Sequence, residues 1–270
     1  MGELVAFECD TATDVVCQPP TVNELFELPT LFSIGDVEIT RQIAYFFLAT
    51  LVVAAILYFG LRKPKAVPGK FQLIVEELVA FVRDGIAKDI IGPEGTKYVP
   101  YLLSIFLFIL VGNFFEITPF INYPITSRMA IPALLAIMTY LIFVFMGFRK
   151  NGLSYLTGII WPKSVPVAMR PLVGIIEFFS TFAIRPLTLA VRLFANLVAG
   201  HVMLSLLLVT GFTYLFVQPF DFTFNPLWGV LWFLLGIAIF VFEMVVAFLQ
   251  AYIFTLLSAV YIESSLHPEH

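Results

Sequence analysis

The sequence predicts an all-α membrane protein: about five transmembrane helices, one amphipathic helix lying in the interface, and a last pair of long helices folded as a strongly tilted hairpin. Three observations carry this expectation. Sixty per cent of the 270 residues are apolar and only 13% are charged, against about a quarter charged in soluble domains. Five apolar stretches meet the ~20 residues that a helix needs to cross a hydrocarbon core about 30 Å thick. Lysine and arginine gather in alternate loops, as the positive-inside rule requires.

The first forty residues are set apart as an acidic extracytoplasmic segment. They hold eight acids (Glu3, Glu8, Asp10, Asp14, Glu24, Glu27, Asp36 and Glu38) and no Lys or Arg. A signal peptide would need a basic start and an apolar core, which "MGELVAFECDTATDVVCQPP" lacks. Pro19, Pro20 and Pro29 predict irregular chain. In an oxidising compartment Cys9 and Cys17 could pair as a disulfide.

The membrane domain spans 41–270. "IAYFFLATLVVAAILYFGL" (43–61) is the first span, "YLLSIFLFILVGNFFEITPF" (101–120) the second and "MAIPALLAIMTYLIFVFMGF" (129–148) the third. Residues 171–217 would extend about 70 Å as one helix and 227–262 about 54 Å, both longer than the core is thick. With "QPFDFTFNP" between them as a turn, 171–262 is expected to form a tilted hairpin, in which Pro186 and Gly200 can kink a helix without ending it. Between the first two spans, Phe71, Ile74, Val75, Leu78, Val79, Val82 and Ile86 recur at helical spacing, with Glu76, Glu77, Arg83 and Lys88 elsewhere. That is the pattern of an interfacial amphipathic helix.

Orientation follows from the loops. Arg62, Lys63, Lys65 and Lys70 follow the first span; only Arg128 follows the second; Arg149, Lys150, Lys163 and Arg170 follow the third. The N-terminus is expected outside and the C-terminus, by parity, in the cytoplasm.

Several polar residues remain at membrane depth: Asn113, Glu116, Glu177, Ser180, Arg185, Thr188, Arg192, Asn196, His201, Glu243 and Gln250. A charge at the bilayer centre costs from about 3 to more than 10 kcal/mol, so each must face protein or water. At 100° per residue, Arg185, Thr188, Arg192 and Asn196 form one stripe, with Ala195 and Ala199 beside it. His201 falls about 180° from Arg192, while Glu243 and Gln250 share a face that can meet His201 at one end and the stripe at the other. The plainer alternatives are that Ser180 and Thr188 serve as interhelical glue, that Arg185 snorkels to headgroups, and that Arg192 is a structural partner of Glu243. The last option leaves Glu116, His201 and Gln250 without a purpose. With three histidines, two cysteines and no metal-ligand or phosphate-loop spacing, no metal, cofactor or catalytic nucleophile is implied. A net charge of −4 argues against nucleic acid. A chain of titratable groups in oil points to an ion path. A secondary transporter would predict paired internal repeats, and none is evident.

"RPLTLAVRLFANLVAGH" and "EMVVAFLQAYIFTLLSAVYI" resemble the two hallmark segments of subunit a of the rotary F-type ATP synthase, and "GNFFEITP" is similar to another of its segments. The resemblance runs from the first span through the last helix. It implies a proton-conducting stator subunit without a nucleotide site, packed against a c-subunit ring and held by the b-subunit peripheral stalk and the rest of the complex, most simply in a bacterial plasma membrane. Arg192 matches the family's essential arginine, which gates the ring carboxylates. Asn113, Glu116, Asn196, His201, Glu243 and Gln250 match the outer half-channel region, with Gln250 close to Arg192, and Glu177 and Ser180 match the inner one. His201 and Glu243 are then expected to relay protons as a pair, whereas some relatives exchange the acid and the histidine.

Overall fold

Apolar length decides the architecture. The computed structural model describes residues 30–34, 37–62, 68–118, 125–161, 165–217 and 225–267. Within them, five helical stretches are long and apolar enough to cross a membrane: Arg41–Leu61, Pro93–Glu116, Ala130–Asn151, Arg170–Phe216 and Leu227–Leu266. Each overlaps one of the five spans expected from hydropathy. Cys9, Cys17 and most of the acidic segment lie outside the described residues, as does the turn between the last two spans.

The first described residues form a feature that hydropathy does not suggest. Strands β1 (Thr30–Ile34) and β2 (Val37–Thr40) pair antiparallel, with Ile34 opposite Val37 and Ser33 opposite Glu38. The expectation of irregular chain is therefore corrected for Thr30–Ile34 and Val37–Thr40. Two short runs rich in β-branched residues, separated in sequence by Gly35 and Asp36, carry a hairpin signal that the acidic composition hides.

Helix α1 (Arg41–Leu61) follows directly. Helix α2 (Lys70–Val82) is the expected amphipathic element, and it runs on through Arg83–Ile91 in wider i→i+5 turns. Val75, Val82 and Ile86 are buried, while Phe71, Leu73 and Ile74 stay exposed, so two apolar facets exist where the sequence suggested one. Gly92, with φ of 82°, stops this run, and Pro93 opens a 3-10 turn (Pro93–Tyr98) leading into α3 (Val99–Ile117). Helix α4 (Ala130–Asn151) carries Arg149 and Lys150 in its last turn, where cations complement the helix dipole. The short helix α5 (Ser154–Ile160) precedes α6 (Arg170–Phe179), which has a proline in its first turn.

Between α6 and α7 (Arg185–Phe212) the chain does not break. It widens into i→i+5 turns over Ser180–Ile184, with the Arg185 N–H donating to the Ser180 carbonyl. Pro186 follows immediately and supplies no N–H, so the ladder loosens one turn ahead of it instead of stopping. After a further wide turn, Thr213–Val217, the last helix α8 (Asn225–Leu266) runs for 42 residues.

The described chain divides into two compact units. One comprises the chain up to Phe47, Gly112–Ser127 and Ala195–Phe248; the other comprises Leu48–Val111, Arg128–Phe194 and the chain from Leu249. In the first, α7 and α8 run antiparallel along a glycine seam. A Cβ on Gly200 would meet the Glu243 carboxyl at 2.5–2.6 Å, one on Gly236 would meet Leu208 at 2.7 Å, one on Gly211 the Phe233 backbone nitrogen at 2.7 Å, and one on Gly229 Tyr214 at 2.9 Å. Residue numbers in these pairs rise on one helix as they fall on the other, which fixes the register. Lipid is as apolar as leucine, so close approach through small residues, not water exclusion, holds such a seam.

The second unit is filled by aromatic rings. Phe81 lies 5.8 Å from Phe106 and 5.7 Å from Tyr252, and Phe143 lies 5.3 Å from Tyr140 and 6.0 Å from Tyr261. These tilted and edge-on arrangements suit the ring quadrupole.

Candidate functional site

The polar residues expected at membrane depth separate by unit and by exposure. In the first unit, Asn113 and Glu116 on α3, His201 on α7 and Glu243 on α8 are all buried, at 0, 4, 5 and 6% exposure. Asn113 Nδ2 donates to the Ala247 carbonyl at 3.2 Å, tying α3 to α8. His201 Nδ1 lies 3.4 Å from Glu116 Oε1, an ion-pair separation that becomes attractive when the imidazole is protonated. Glu243 reaches the same helix one residue earlier: its carboxyl rests against Gly200, where any side chain would displace it.

Sequence spacing suggested Glu243 as the partner of His201. The acid standing 3.4 Å from His201 is Glu116, from a helix 85 positions away in sequence, while the Glu243 carboxyl lies against the neighbouring Gly200. Two acids from other helices thus approach α7 at the adjacent residues Gly200 and His201. In the same unit Asn113 Oδ1, Thr126 Oγ1, Thr210 Oγ1 and Trp232 Nε1 are buried without a hydrogen-bond partner among the described residues. Gln42 is also buried and donates to the Ile125 carbonyl at 3.3 Å. Gln42, Thr126, Thr210 and Trp232 were not singled out by sequence; a polar residue on an otherwise apolar span was the available signal.

In the second unit the arginine stripe divides. Arg185 is half-buried: its Nη1 donates to Ser264 Oγ at 3.1 Å and its guanidinium stands 5.4 Å from the centre of the Tyr261 ring. It is engaged by the protein, a cation–π contact adding to the hydrogen bond. Arg192 is exposed and has no acid within 4.0 Å among the described residues. Thr188 is exposed with its hydroxyl turned back to the Ile184 and Arg185 carbonyls at 2.8 and 3.1 Å. Leu189, Ala190 and Leu193, on the other side of the helix, are buried. Glu177 and Ser180 are half-buried, and Gln250 is buried at 3% exposure.

Further along α7, in the first unit, Ala195, Asn196 and Ala199 are exposed while Leu197 and His201 are buried. The helix therefore carries the exposed Arg192 and Asn196 and the buried His201 on different sides, as 100° per residue demands. Among the described residues no three His, Cys, Asp or Glu side chains gather as metal ligands would.

Comparison with known proteins bears on this arrangement. The family model described as "ATP synthase A chain" matches residues 43–263. A protein named ATP synthase subunit a from Frankia alni is 40% identical over 92% of this chain and 86% of its own length. One of the same name from Rhodococcus erythropolis is 37% identical over 93% of this chain and 90% of its own length. A third, from Rhodopseudomonas palustris, is 34% identical over 91% of this chain and 97% of its own length. The family model covers most of every span and Asn113, Glu116, His201, Glu243 and Gln250, and the chain belongs to the ATP synthase A chain family, an integral membrane component of the synthase.

Proposed function

We propose that this chain is the proton-conducting stator subunit of an F-type ATP synthase, offering two offset aqueous half-channels with Arg192 as the gate between them. The observation that carries this is the two-sided α7: an exposed guanidinium at Arg192 beside exposed Ala195, Asn196 and Ala199, and a buried imidazole at His201 with Glu116 at 3.4 Å. An arginine exposed in the middle of an apolar span would cost at least about 3 kcal/mol against lipid. A ring of c subunits, each bringing a carboxylate, removes that cost. Small residues around Arg192 let such a ring approach closely.

The chemistry follows from the charges. A guanidinium within about 4–6 Å of a carboxyl group lowers its pKa and keeps it ionised. Arginine does not release its own proton, so it attracts each carboxylate yet cannot relay protons past itself. Glu116, His201 and Glu243, with Asn113, Asn196 and Gln250, serve the outer half-channel, and the unpartnered Asn113 Oδ1 buried beside Glu116 on α3 favours a hydrated path. Glu177 and Ser180 serve the inner one. Basic loops after the first and third spans support an N-terminus outside and a C-terminus in the cytoplasm of a bacterium. Each proton crossing 100 mV contributes about 2.3 kcal/mol, which the rotor carries to the nucleotide sites of other subunits. The b-subunit stalk holds this chain against the torque.

Arg192→Ala is the test. Since Arg192 makes no ion pair within the described chain, assembly is expected to persist while proton-driven ATP synthesis in membrane vesicles is abolished. Coupled synthesis at the normal rate would overturn the assignment.

A further inference from the structure

A second concentration of charge lies away from these residues, where the turn Pro93–Tyr98 and the start of α3 adjoin the last turns of α4. It borders a cavity of about 570 Å³. The rim carries Lys97, Arg149, Lys150 and one acid, Glu94. Lys150 Nζ stands 3.2 Å from Glu94 Oε2, so that acid is already matched. Lys97 and Arg149 have no acid within 4.0 Å among the described residues, and the single Glu94 carboxylate faces three cations, which leaves the rim with an excess of positive charge.

The rest of the lining is apolar. Ile142, Met146 and Leu266 form it together with the rings of Tyr98 and Tyr101. The Tyr101 hydroxyl is donated to Thr139 Oγ1 at 2.8 Å, so Tyr101 offers only its ring. A free anion would satisfy the cations and waste the apolar wall; a neutral lipid would do the reverse. A ligand with an anionic phosphate head and acyl chains satisfies both.

We infer that this cavity binds the headgroup of an anionic phospholipid, its phosphate between Lys97 and Arg149 and its first methylenes against Ile142 and Met146. The leaflet rests on the proposed orientation, which puts the end of α4 on the cytoplasmic side, where basic pockets at the ends of spans meet anionic lipid.

The test uses the intact synthase in mild detergent, with diazirine-bearing phosphatidylglycerol or phosphatidylcholine and peptide mapping of the labelled positions. Residues 93–101 and 142–150 are expected to be labelled at least about tenfold more by phosphatidylglycerol. The double change Lys97→Gln with Arg149→Gln is expected to lower this labelling about thirtyfold, from the usual worth of two basic residues at an anionic surface. The charge-keeping pair Lys97→Arg with Arg149→Lys should retain it, and Met146→Trp, which fills the cavity and keeps both charges, should lower it. The latter two carry the test if the double Gln variant does not assemble. Equal labelling by both lipids, or unchanged labelling in the double Gln and Met146→Trp variants, would overturn the inference. So would full protection by glycerol phosphate at the concentration of the lipid, which would mark a site for free phosphate. Labelling needs no turnover, so Arg192→Ala leaves it unchanged and the two readings fail separately.

Discussion

Two glycines on one helix seam should respond to the same substitution in opposite ways. A methyl at Gly200 would lie 2.5–2.6 Å from the Glu243 carboxyl, the far end of a flexible side chain. Restoring an ordinary contact of about 3.4 Å moves that carboxyl by about 0.8 Å and leaves both backbones where they are. Alanine gains about 1 kcal/mol of helix propensity over glycine, which offsets much of the side chain's repacking. Gly200→Ala should therefore leave chain abundance and thermal midpoint close to wild type. Proton transfer is far less forgiving, since displacements of about 1 Å can cost on the order of a hundredfold. Proton-driven ATP synthesis is expected to fall at least about tenfold. At Gly211 the obstacle is the Phe233 backbone nitrogen at 2.7 Å and its Cα at 2.9 Å, which no rotamer change can clear. Gly211→Ala must part the helices, and overpacking of this kind costs about 1–3 kcal/mol, more than the propensity gained. Here abundance and thermal midpoint should fall with activity. Thermal unfolding of the purified complexes and ATP synthesis per assembled complex in vesicles separate the two cases. A Gly211→Ala chain as stable as wild type, or a Gly200→Ala chain less stable than Gly211→Ala, would refute the seam as described.

The other expectations are briefer. Asn196→Cys should form a disulfide with a cysteine placed on the carboxylate-bearing c-subunit helix and His201→Cys should not, because Asn196 is exposed and His201 buried; equal yields would mean that α7 is misoriented. Asp84 is held below the usual aspartate range by hydrogen bonds from Arg83 and Lys88, so its contribution to stability is present above about pH 4 and fades as pH falls below that value. Asp84→Asn should thus lower the thermal midpoint slightly at pH 7 in low salt and not at all in 1 M salt, where exposed pairs are screened.

Hydropathy and charge made the five spans and the two-sided α7 legible in the sequence. Long runs of Phe, Leu and Ile leave a helix no alternative in lipid, and between Arg185 and Phe212 the α ladder is unbroken, so an angle of 100° per residue separates Arg192 from His201 correctly. What hydropathy lacks is any signal for one extra residue in a turn, so the wide turns at Arg83–Ile91 and Ser180–Ile184 went unseen. The partners of Arg185 went unseen because Tyr261 and Ser264 come from α8, whose crossing with α7 no single-helix wheel encodes. The pairing of His201 with Glu116 was hidden for the same reason, and Gln42 because one amide in an apolar span looks like glue.

The wide turn at Ser180–Ile184 sets an angular phase. Each i→i+5 step fits one more residue into a turn than an α-helix would, so side chains before it are rotated by about 100° from where a regular helix would point them. Deleting any one of these five residues would let the ladder close as a plain helix with Glu177 still facing as before. Closing the wide turn with all five residues kept would instead turn Glu177 by more than a quarter circle relative to Arg192. The wide turn is thus as strict a requirement as the identity of those two residues, and a change that leaves composition, hydropathy and helix content intact but restores the plain ladder would misdirect the carboxylate.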